Sequence, residues 1–186
     1  MNLISLDLEM NQPSGSIVQI GAAVGNLQSG AILDSFSCYI AVDEPVAPEI
    51  VDLTGITADY LSTNGVELTR GYELLVDFCT QFAPFINPVT WGGDDASYLR
   101  ERLPRGLGNW PFGRRCIDVK TLHTVSALFA NSSPKGGLER TMRRYGLKFE
   151  GRAHDARIDA LNTLTLLFEI KRRAENNLPA FGPSPA

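Results

Sequence analysis

Apolar side chains occupy every second position from Ile4 to Met10, and the positions between them carry serine, aspartate and glutamate. A period of two is typical of a β-strand, because successive side chains of a strand point to opposite faces of the sheet. Two more apolar segments follow turns that contain asparagine and glycine. The short connections predict an antiparallel meander of three strands, near residues 3–10, 17–24 and 32–40.

The spacing of apolar residues changes after the third predicted strand. Residues 45–65 have the pattern of a loop with a short helix. From about Arg70 to Phe85 the apolar residues recur with helical spacing, and Asn87-Pro88 ends that helix. We expect one face of it to carry Leu74, Leu75, Phe78, Phe82 and Phe85.

The rest of the chain alternates between short strands and helices. The pattern predicts strands at 89–91 and 115–119 and helices at 95–103, 120–129, 138–145 and 156–176. Three strands followed by alternating elements indicate an α/β layer fold, in which helices cover the faces of a mixed sheet.

The length of 186 residues suits one domain, which we assign to residues 1–177. Residues 178–186 are rich in proline and predict a disordered tail.

No apolar run approaches the ~20 residues of a membrane span. The first residues include no basic group and reach the acidic Asp7 before any long apolar run, so they do not have the pattern of a signal peptide. Three widely spaced cysteines indicate neither a zinc site nor a disulfide framework, so we expect a cytoplasmic protein without a membrane partner.

The net charge of −4 hides an uneven distribution along the chain. Residues 1–99 contain one basic residue, Arg70, and 13 acidic residues, whereas residues 100–186 contain 16 basic and 8 acidic residues. Such asymmetry is a hint of contact with nucleic acid. Solvated helix faces would explain the basic residues equally well.

Two acids, Asp7 and Glu9, would project from one face of the first strand, roughly 6.5–7 Å apart. An exposed strand face would explain them on its own. However, the leucines beside them and the apolar second strand favour a central strand that is covered on both faces. Carboxylates removed from water are costly unless they are paired or bound to metal.

Asp94 and Asp95 follow Gly92-Gly93 at the end of the predicted fourth strand, and ligands of open α/β sheets gather where strands end. Aspartate is also a good N-cap, so one of the pair could serve only to begin the helix at 95–103. We assign the cap to Asp94 and place Asp95 in the first turn, where it could reach a metal.

His154 and Asp159 lie five residues apart, which corresponds to roughly 140° around a helix. They could therefore cooperate only if His154 lies on the loop before the last helix, with Asp159 on its second turn. Asp155 is then the natural N-cap. A surface histidine before a surface helix is the simpler alternative for this segment alone. The other histidine, His123, lies on a predicted helix and is interpreted as structural.

The types of candidate ligand indicate which metal ions the protein would bind. Four carboxylates without cysteine select hard cations such as Mg²⁺ or Mn²⁺. Two such ions suit in-line attack on a phosphodiester, and a histidine can accept the proton of the attacking water near neutral pH. The acids and His154 together predict a metal-dependent nuclease.

Taken together, these segments resemble the DEDDh (DnaQ-like) family of 3′→5′ exonucleases. Asp7-Leu8-Glu9 is similar to the first family motif, and Asp95 followed by Tyr98-Leu99 is similar to the second. The segment from His154 to Asp159 resembles the third, and Leu53-Thr54-Gly55-Ile56-Thr57 resembles a loop common in the family. The motifs occur in order over about residues 3–170. The segments that most resemble the Eri-type and KapD-type exoribonuclease branch are Trp91 to Asp95, the loop at 53–57 and Lys148 to His154.

The resemblance implies an RNase H-like fold, with a five-stranded mixed sheet whose first three strands are antiparallel, flanked by helices. It also implies two ions, Mg²⁺ or Mn²⁺, held by Asp7, Glu9, Asp95 and Asp159, with His154 as general base. The expected substrate is a single-stranded 3′ end, with RNA preferred over DNA, and the expected product is a nucleoside 5′-monophosphate. Several relatives are dimers, so a homodimer is left open.

Substrate contacts are expected from residues near these motifs. We assign substrate binding to Met10, Asn11, Leu53, Thr54, Ile56 and Arg152, and phosphate contact to the basic cluster of Arg140, Arg143, Arg144, Lys148 and Arg152. The alternatives are a DNA exonuclease of the proofreading or repair type, and a nuclease-like module that binds nucleic acid without cutting it.

Overall fold

The computed structural model describes residues 1–108 and 110–177. The predicted proline-rich tail at 178–186 lies outside the described residues. Five strands form one sheet: β1 (Asn2–Met10), β2 (Ile17–Asn26), β3 (Ile32–Tyr39), β4 (Val89–Thr90) and β5 (Ile117–Asp118).

The described helices follow the predicted pattern closely. Residues 45–65 contain two short helices instead of the one predicted, because Gly55 ends the first in the left-handed region and Thr57 caps the second. The helices are α1 (Pro48–Thr54), α2 (Ala58–Asn64), α3 (Leu68–Phe82), α4 (Asp95–Arg102), α5 (Val119–Phe129), α6 (Leu138–Arg144) and α7 (Ala156–Asn177).

Helix α3 ends three residues earlier than predicted. Ala83 follows it with a φ of 42°, in the left-handed region, and its amide donates to the carbonyl of Cys79. Phe85 therefore lies beyond the helix and is 39% exposed, so its predicted place on the apolar face was wrong. The other predicted residues do face the core: Leu75 and Phe78 are buried, and Leu74 and Phe82 pack against them. The same face also buries Tyr72 and Cys79.

The strand order is β3-β2-β1-β4-β5, with β1 at the centre. Strands β1, β2 and β3 pair antiparallel, whereas β4 and β5 run parallel to β1. The predicted fold, a five-stranded mixed sheet with three antiparallel strands first, is confirmed.

A separate apolar core covers each face of the sheet. Ile4, Leu6 and Leu8 of β1 pack in the core beneath α3 and α4, whereas Leu3 packs in the core beneath α7. Because side chains alternate along a strand, Asp7 and Glu9 share the α7 face with Leu3. Both acids thus lie at the end of the central strand, under the last helix.

The three cysteines, Cys38, Cys79 and Cys116, are free thiols. Over residues 1–108 and 110–177, the helices are too short or too polar to span a bilayer. His123 is 4% exposed, and its Nδ1 lies 3.4 Å from the hydroxyl of Tyr145. This packing agrees with the structural role predicted for it.

Candidate active site

The last helix reaches the acids of β1 because β2 has a glycine at the crossing point. Gly21 is the cross-strand partner of Asp7. A Cβ atom on Gly21 would lie 2.0 Å from the carbonyl carbon of Ala156 and 2.1 Å from the amide nitrogen of Arg157. The absence of a side chain here lets the start of α7 rest directly on the sheet.

The turn before α7 brings His154 and Asp159 together. His154 has a φ of 62° and lies off the helix, as the five-residue spacing requires. The Asp155 carboxylate accepts from the amides of Arg157 at 3.1 Å and Ile158 at 3.4 Å, so Asp155 is the predicted N-cap. Asp159 lies in the first turn of α7 and not in the second as predicted, because the helix begins only at Ala156.

Three of the predicted catalytic side chains converge. Among the described residues, possible ligand atoms of Glu9, His154 and Asp159 all lie within 4.8 Å of one another. Together with Asp7 they line a cleft of about 460 Å³. Asp7 and Asp95 lie outside this closest group of three.

The two neighbouring aspartates at the end of β4 have different roles. The Asp94 side chain is exposed and accepts from the amide of Ser97 at 3.1 Å, so Asp94 caps α4 as predicted. Asp95 is half-buried, and its charge raises the pKa of both Asp7 and Glu9. Asp95 is therefore the member of the pair that belongs electrostatically to the acid cluster.

Burial and crowding disfavour the charged forms of these acids. Burial, followed by the charges of Asp95, Glu9 and Asp159, raises the pKa of Asp7 well above its usual value. Burial and the neighbouring acids raise the pKa of Glu9 to about 8, and burial foremost raises the pKa of Asp95 to about 6. The pKa of Asp159 is also raised by burial, against the opposing effect of the His154 amide.

The acid cluster fits a divalent cation. None of the ion pairs in the described part of the chain includes Asp7, Glu9, Asp95 or Asp159. One oxygen of Asp159, Oδ1, is buried and has no hydrogen-bond partner among the described residues. Buried carboxylates without a counter-charge are the ligands that hard cations prefer.

The predicted substrate contact of Asn11 needs correction. Asn11 is 1% exposed, and its amide nitrogen donates to Glu44 and to the carbonyl of Pro45, both at 3.0 Å. Its oxygen accepts from the amide of Ala47 at 2.8 Å. The side chain holds the loop before α1 and has no free group for a nucleotide. Met10 is half-buried against the core beneath α3 and α4.

Internal hydrogen bonds and burial fix the loop after α1, so the predicted substrate contacts of Thr54 and Ile56 also need correction. The Thr54 hydroxyl donates to the carbonyl of Ile50 and accepts from the amide of Ile56. Ile56 is buried in a small core with Val18. Leu53, at 43% exposed, is the predicted contact of this loop whose side chain reaches solvent.

Arg152 connects this loop to the segment before His154. Its guanidinium donates to the carbonyls of Asp52 at 3.4 Å and Leu53 at 3.2 Å, and a Cβ on Gly55 would lie 2.4 Å from Nη1. In the described structure, the cleft lining includes none of the six predicted substrate contacts: Met10, Asn11, Leu53, Thr54, Ile56 and Arg152.

The cleft is bordered instead by two aromatic and two basic side chains. Trp91 and Phe149 line it, as do Arg140 and Arg143 of the predicted basic cluster. Arg144 points elsewhere, because it donates to the carbonyl of Ser133 at 2.6 Å. Neither aromatic residue was predicted from the sequence to contact substrate, although Trp91 stands directly before Gly92-Gly93 at the end of β4.

Comparisons with known proteins agree with this geometry. No family model matches the chain. ERI1 exoribonuclease 2 of Danio rerio is 28% identical over 185 residues, and the match covers 85% of the chain but 32% of that protein. The nuclease domain of 3′hExo, a DEDDh family member solved with rAMP, has a TM-score of 0.74 at 16% identity and 92% coverage of both chains. The chain has the fold of these DEDDh nuclease structures and is similar in sequence to an exoribonuclease of the Eri type.

Other solved nucleases share the fold of this chain. Cell-death related nuclease 4 has a TM-score of 0.75 at 20% identity, with 95% of the chain and 64% of that protein covered. Exonuclease X in complex with 5′ overhanging duplex DNA has a TM-score of 0.64 at 19% identity, with 93% of each covered. The chain spans about a third of the length of the Danio rerio relative.

Proposed function

We propose that this chain is a 3′→5′ exonuclease of the DEDDh family, Eri type, that releases nucleoside 5′-monophosphates from single-stranded 3′ ends, with RNA preferred. The observation that carries the proposal is the convergence of Glu9, His154 and Asp159, beside Asp7, in one cleft. Carboxylates with a histidine among them suit metal-assisted hydrolysis of a phosphodiester.

The acids Asp7, Glu9, Asp95 and Asp159 would hold Mg²⁺ or Mn²⁺, two ions per site. Bound ions of this kind supply positive charge that activates water and stabilises the leaving oxygen. His154 is exposed at the cleft and lies next to Glu9 and Asp159, so its imidazole can accept the proton of the attacking water. The hydrogen bond from its own amide to Asp159 fixes the backbone from which that ring projects.

The cleft walls suit a single-stranded nucleic-acid end. Trp91 and Phe149 offer faces on which bases can stack, and such stacking accepts any base. Arg140 and Arg143 are exposed at the same cleft and can contact backbone phosphates. RNA preference is supported by the relative named an exoribonuclease and by the structural neighbour bound to rAMP.

Matched substrates test the proposal. A 5′-labelled single-stranded RNA and the DNA of the same sequence are incubated with the protein and Mn²⁺, and products are resolved at single-nucleotide resolution and identified by mass. We expect progressive shortening from the 3′ end, faster for RNA, with release of nucleoside 5′-monophosphates. Tight binding without any metal-dependent product would overturn the proposal in favour of a binding module.

A DNA 3′→5′ exonuclease is the second candidate. The structural neighbour Exonuclease X was solved with duplex DNA that carries a 5′ overhang, so the fold accommodates DNA in that protein. Equal or faster shortening of the DNA substrate, including one recessed at its 3′ end, would favour this candidate.

A further inference from the structure

Gln19 is a buried side chain next to the acid cluster that no predicted role explains. It is 1% exposed and is the cross-strand partner of Glu9 in the β1–β2 ladder. Directly paired residues of a ladder point to the same face, so Gln19 lies beneath the start of α7 with Glu9. Its neighbours on β2, Val18 and Ile20, are fully buried apolar residues.

The Gln19 amide connects three elements. Its nitrogen donates to the Ser37 hydroxyl of β3 at 3.1 Å and to the Asp155 carboxylate at 3.2 Å. Its oxygen accepts from the amide of Ala156, the first residue of α7, at 3.1 Å. Two of the three bonds thus go to the two residues that directly follow His154.

A buried amide is costly unless it is bonded, and an apolar residue would fill the same volume without that cost. The bonds of Gln19 instead hold a turn that needs support. His154 has a φ of 62°, a conformation that L-residues rarely adopt and that persists only where the surrounding structure enforces it. Gln19 and the N-cap Asp155 are bonded to each other directly behind this residue.

We propose that Gln19 is a positioning residue, which fixes the turn between His154 and Asp159 so that both side chains face Glu9. The catalytic part of this proposal rests on the proposed function. Its structural part, the restraint of residues 154–159 by Gln19, does not. A misplacement of about 1 Å in such a site lowers turnover by roughly 100-fold, so the effect is measurable.

Gln19→Met tests the proposal because methionine keeps much of the volume and removes both hydrogen-bonding groups. We expect kcat on the single-stranded substrate to fall by about 10- to 100-fold while KM changes less than about two-fold. Hydrogen–deuterium exchange of the amides at 154–159 should accelerate. If Gln19→Met does not fold, Gln19→Asn replaces it, since asparagine keeps a buried amide but is one methylene too short to keep both bonds to Asp155 and Ala156.

Ser37→Ala is the matched control. It removes one bond of Gln19 but leaves both contacts with the start of α7, so kcat and exchange should stay near those of the unmodified protein. The double variant Gln19→Met/Asp155→Ala should lose little more activity than the more damaging single variant, because both residues act through one set of bonds.

The outcomes separate the two proposals. Unchanged kcat and unchanged exchange at 154–159 in Gln19→Met would overturn the positioning role. A loss equal to that of Ser37→Ala would also overturn it. If the unmodified protein has no nuclease activity, the proposed function fails, and the exchange measurement alone then decides whether Gln19 restrains the turn.

Discussion

The backbone amide of His154 donates a hydrogen bond to the Asp159 carboxylate over 3.0 Å. This bond joins two residues whose spacing of five prevents them from sharing a helix face. It is possible because His154 lies before α7 with a left-handed backbone, whereas Asp159 lies in the first turn. Since Oδ2 takes this bond and Oδ1 is buried without a partner in the described structure, one carboxylate oxygen remains for a cation.

The raised pKa values of the acids predict how stability depends on pH. The pKa of Glu9 is raised from 4.5 to about 8 and that of Asp95 from 3.8 to about 6. Between about pH 5 and 8 the folded, metal-free protein therefore binds more protons than the unfolded chain. Its stability must then fall as pH rises through this window.

Thermal unfolding in chelator checks this prediction. A loss of about 2 kcal/mol between pH 5 and pH 8 corresponds to a melting temperature lower by roughly 4–8 °C for a chain of this size. Added Mn²⁺ should restore the melting temperature at pH 8, and Glu9→Gln should flatten the pH dependence. A melting temperature that rises with pH in chelator would contradict the account of the acid cluster.

Substitutions of the two aspartates at the start of α4 should affect stability and activity differently. Asp94→Ala removes the N-cap bond to Ser97 and should cost about 1 kcal/mol of unfolding free energy while activity is retained. Asp95→Asn should abolish most metal-dependent cleavage and leave the fold intact, because it removes a charge from the crowded cluster. Urea unfolding and oligonucleotide cleavage measured on both variants decide between the residues, and the reverse pattern would assign the metal to Asp94.

His154→Asn should isolate the role of the imidazole. Asparagine tolerates a positive φ better than alanine does, so the backbone and its bond to Asp159 should persist. Loss of a general base lowers the rate by roughly 100- to 10,000-fold. We expect a fall of kcat in that range with nearly unchanged Mn²⁺ affinity, measured by titration calorimetry. Activity within a few-fold of the unmodified protein would rule out His154 as the base.

Arg140 and Arg143 should contribute to binding more than to chemistry. Replacing both by glutamine should raise KM while kcat stays within about two-fold, and should reduce the salt dependence of binding by about 0.7 in log–log slope per lost phosphate contact. Arg70→Gln/Arg172→Gln is the control matched in charge, because each of these exposed arginines pairs with a glutamate of its own helix, away from the cleft. Equal effects in the control would show that only net charge matters.

Local sequence patterns predicted most of the fold and part of the candidate active site. Alternation along β1 predicted that Asp7 and Glu9 share one face, and the cap preference of aspartate distinguished Asp94 from Asp95. The spacing of His154 and Asp159 required a loop before the last helix, and the structure has one. These properties depend on residues close in sequence.

Properties that depend on distant partners were not predictable in the same way. Asn11 was predicted to contact the substrate because it follows the acids in sequence. Its side-chain amide instead forms hydrogen bonds with a loop about 35 residues later. Gly21 and Gln19 matter because α7 packs on them from more than 130 residues away. Phe85 lies beyond the predicted helix because Ala83 adopts a left-handed backbone, which alanine does not favour. The homodimer and the cytoplasmic location stay predictions.

The most direct test of the central claim compares the unmodified protein with Glu9→Gln on a 5′-labelled single-stranded RNA. With Mn²⁺ the unmodified protein should produce a ladder of products that shorten one nucleotide at a time from the 3′ end. Chelator, Glu9→Gln or a substrate blocked at its 3′ end should each remove that ladder. A ladder that persists in Glu9→Gln or in chelator, or products that begin at internal positions, would contradict a metal-dependent 3′→5′ exonuclease centred on Glu9, His154 and Asp159.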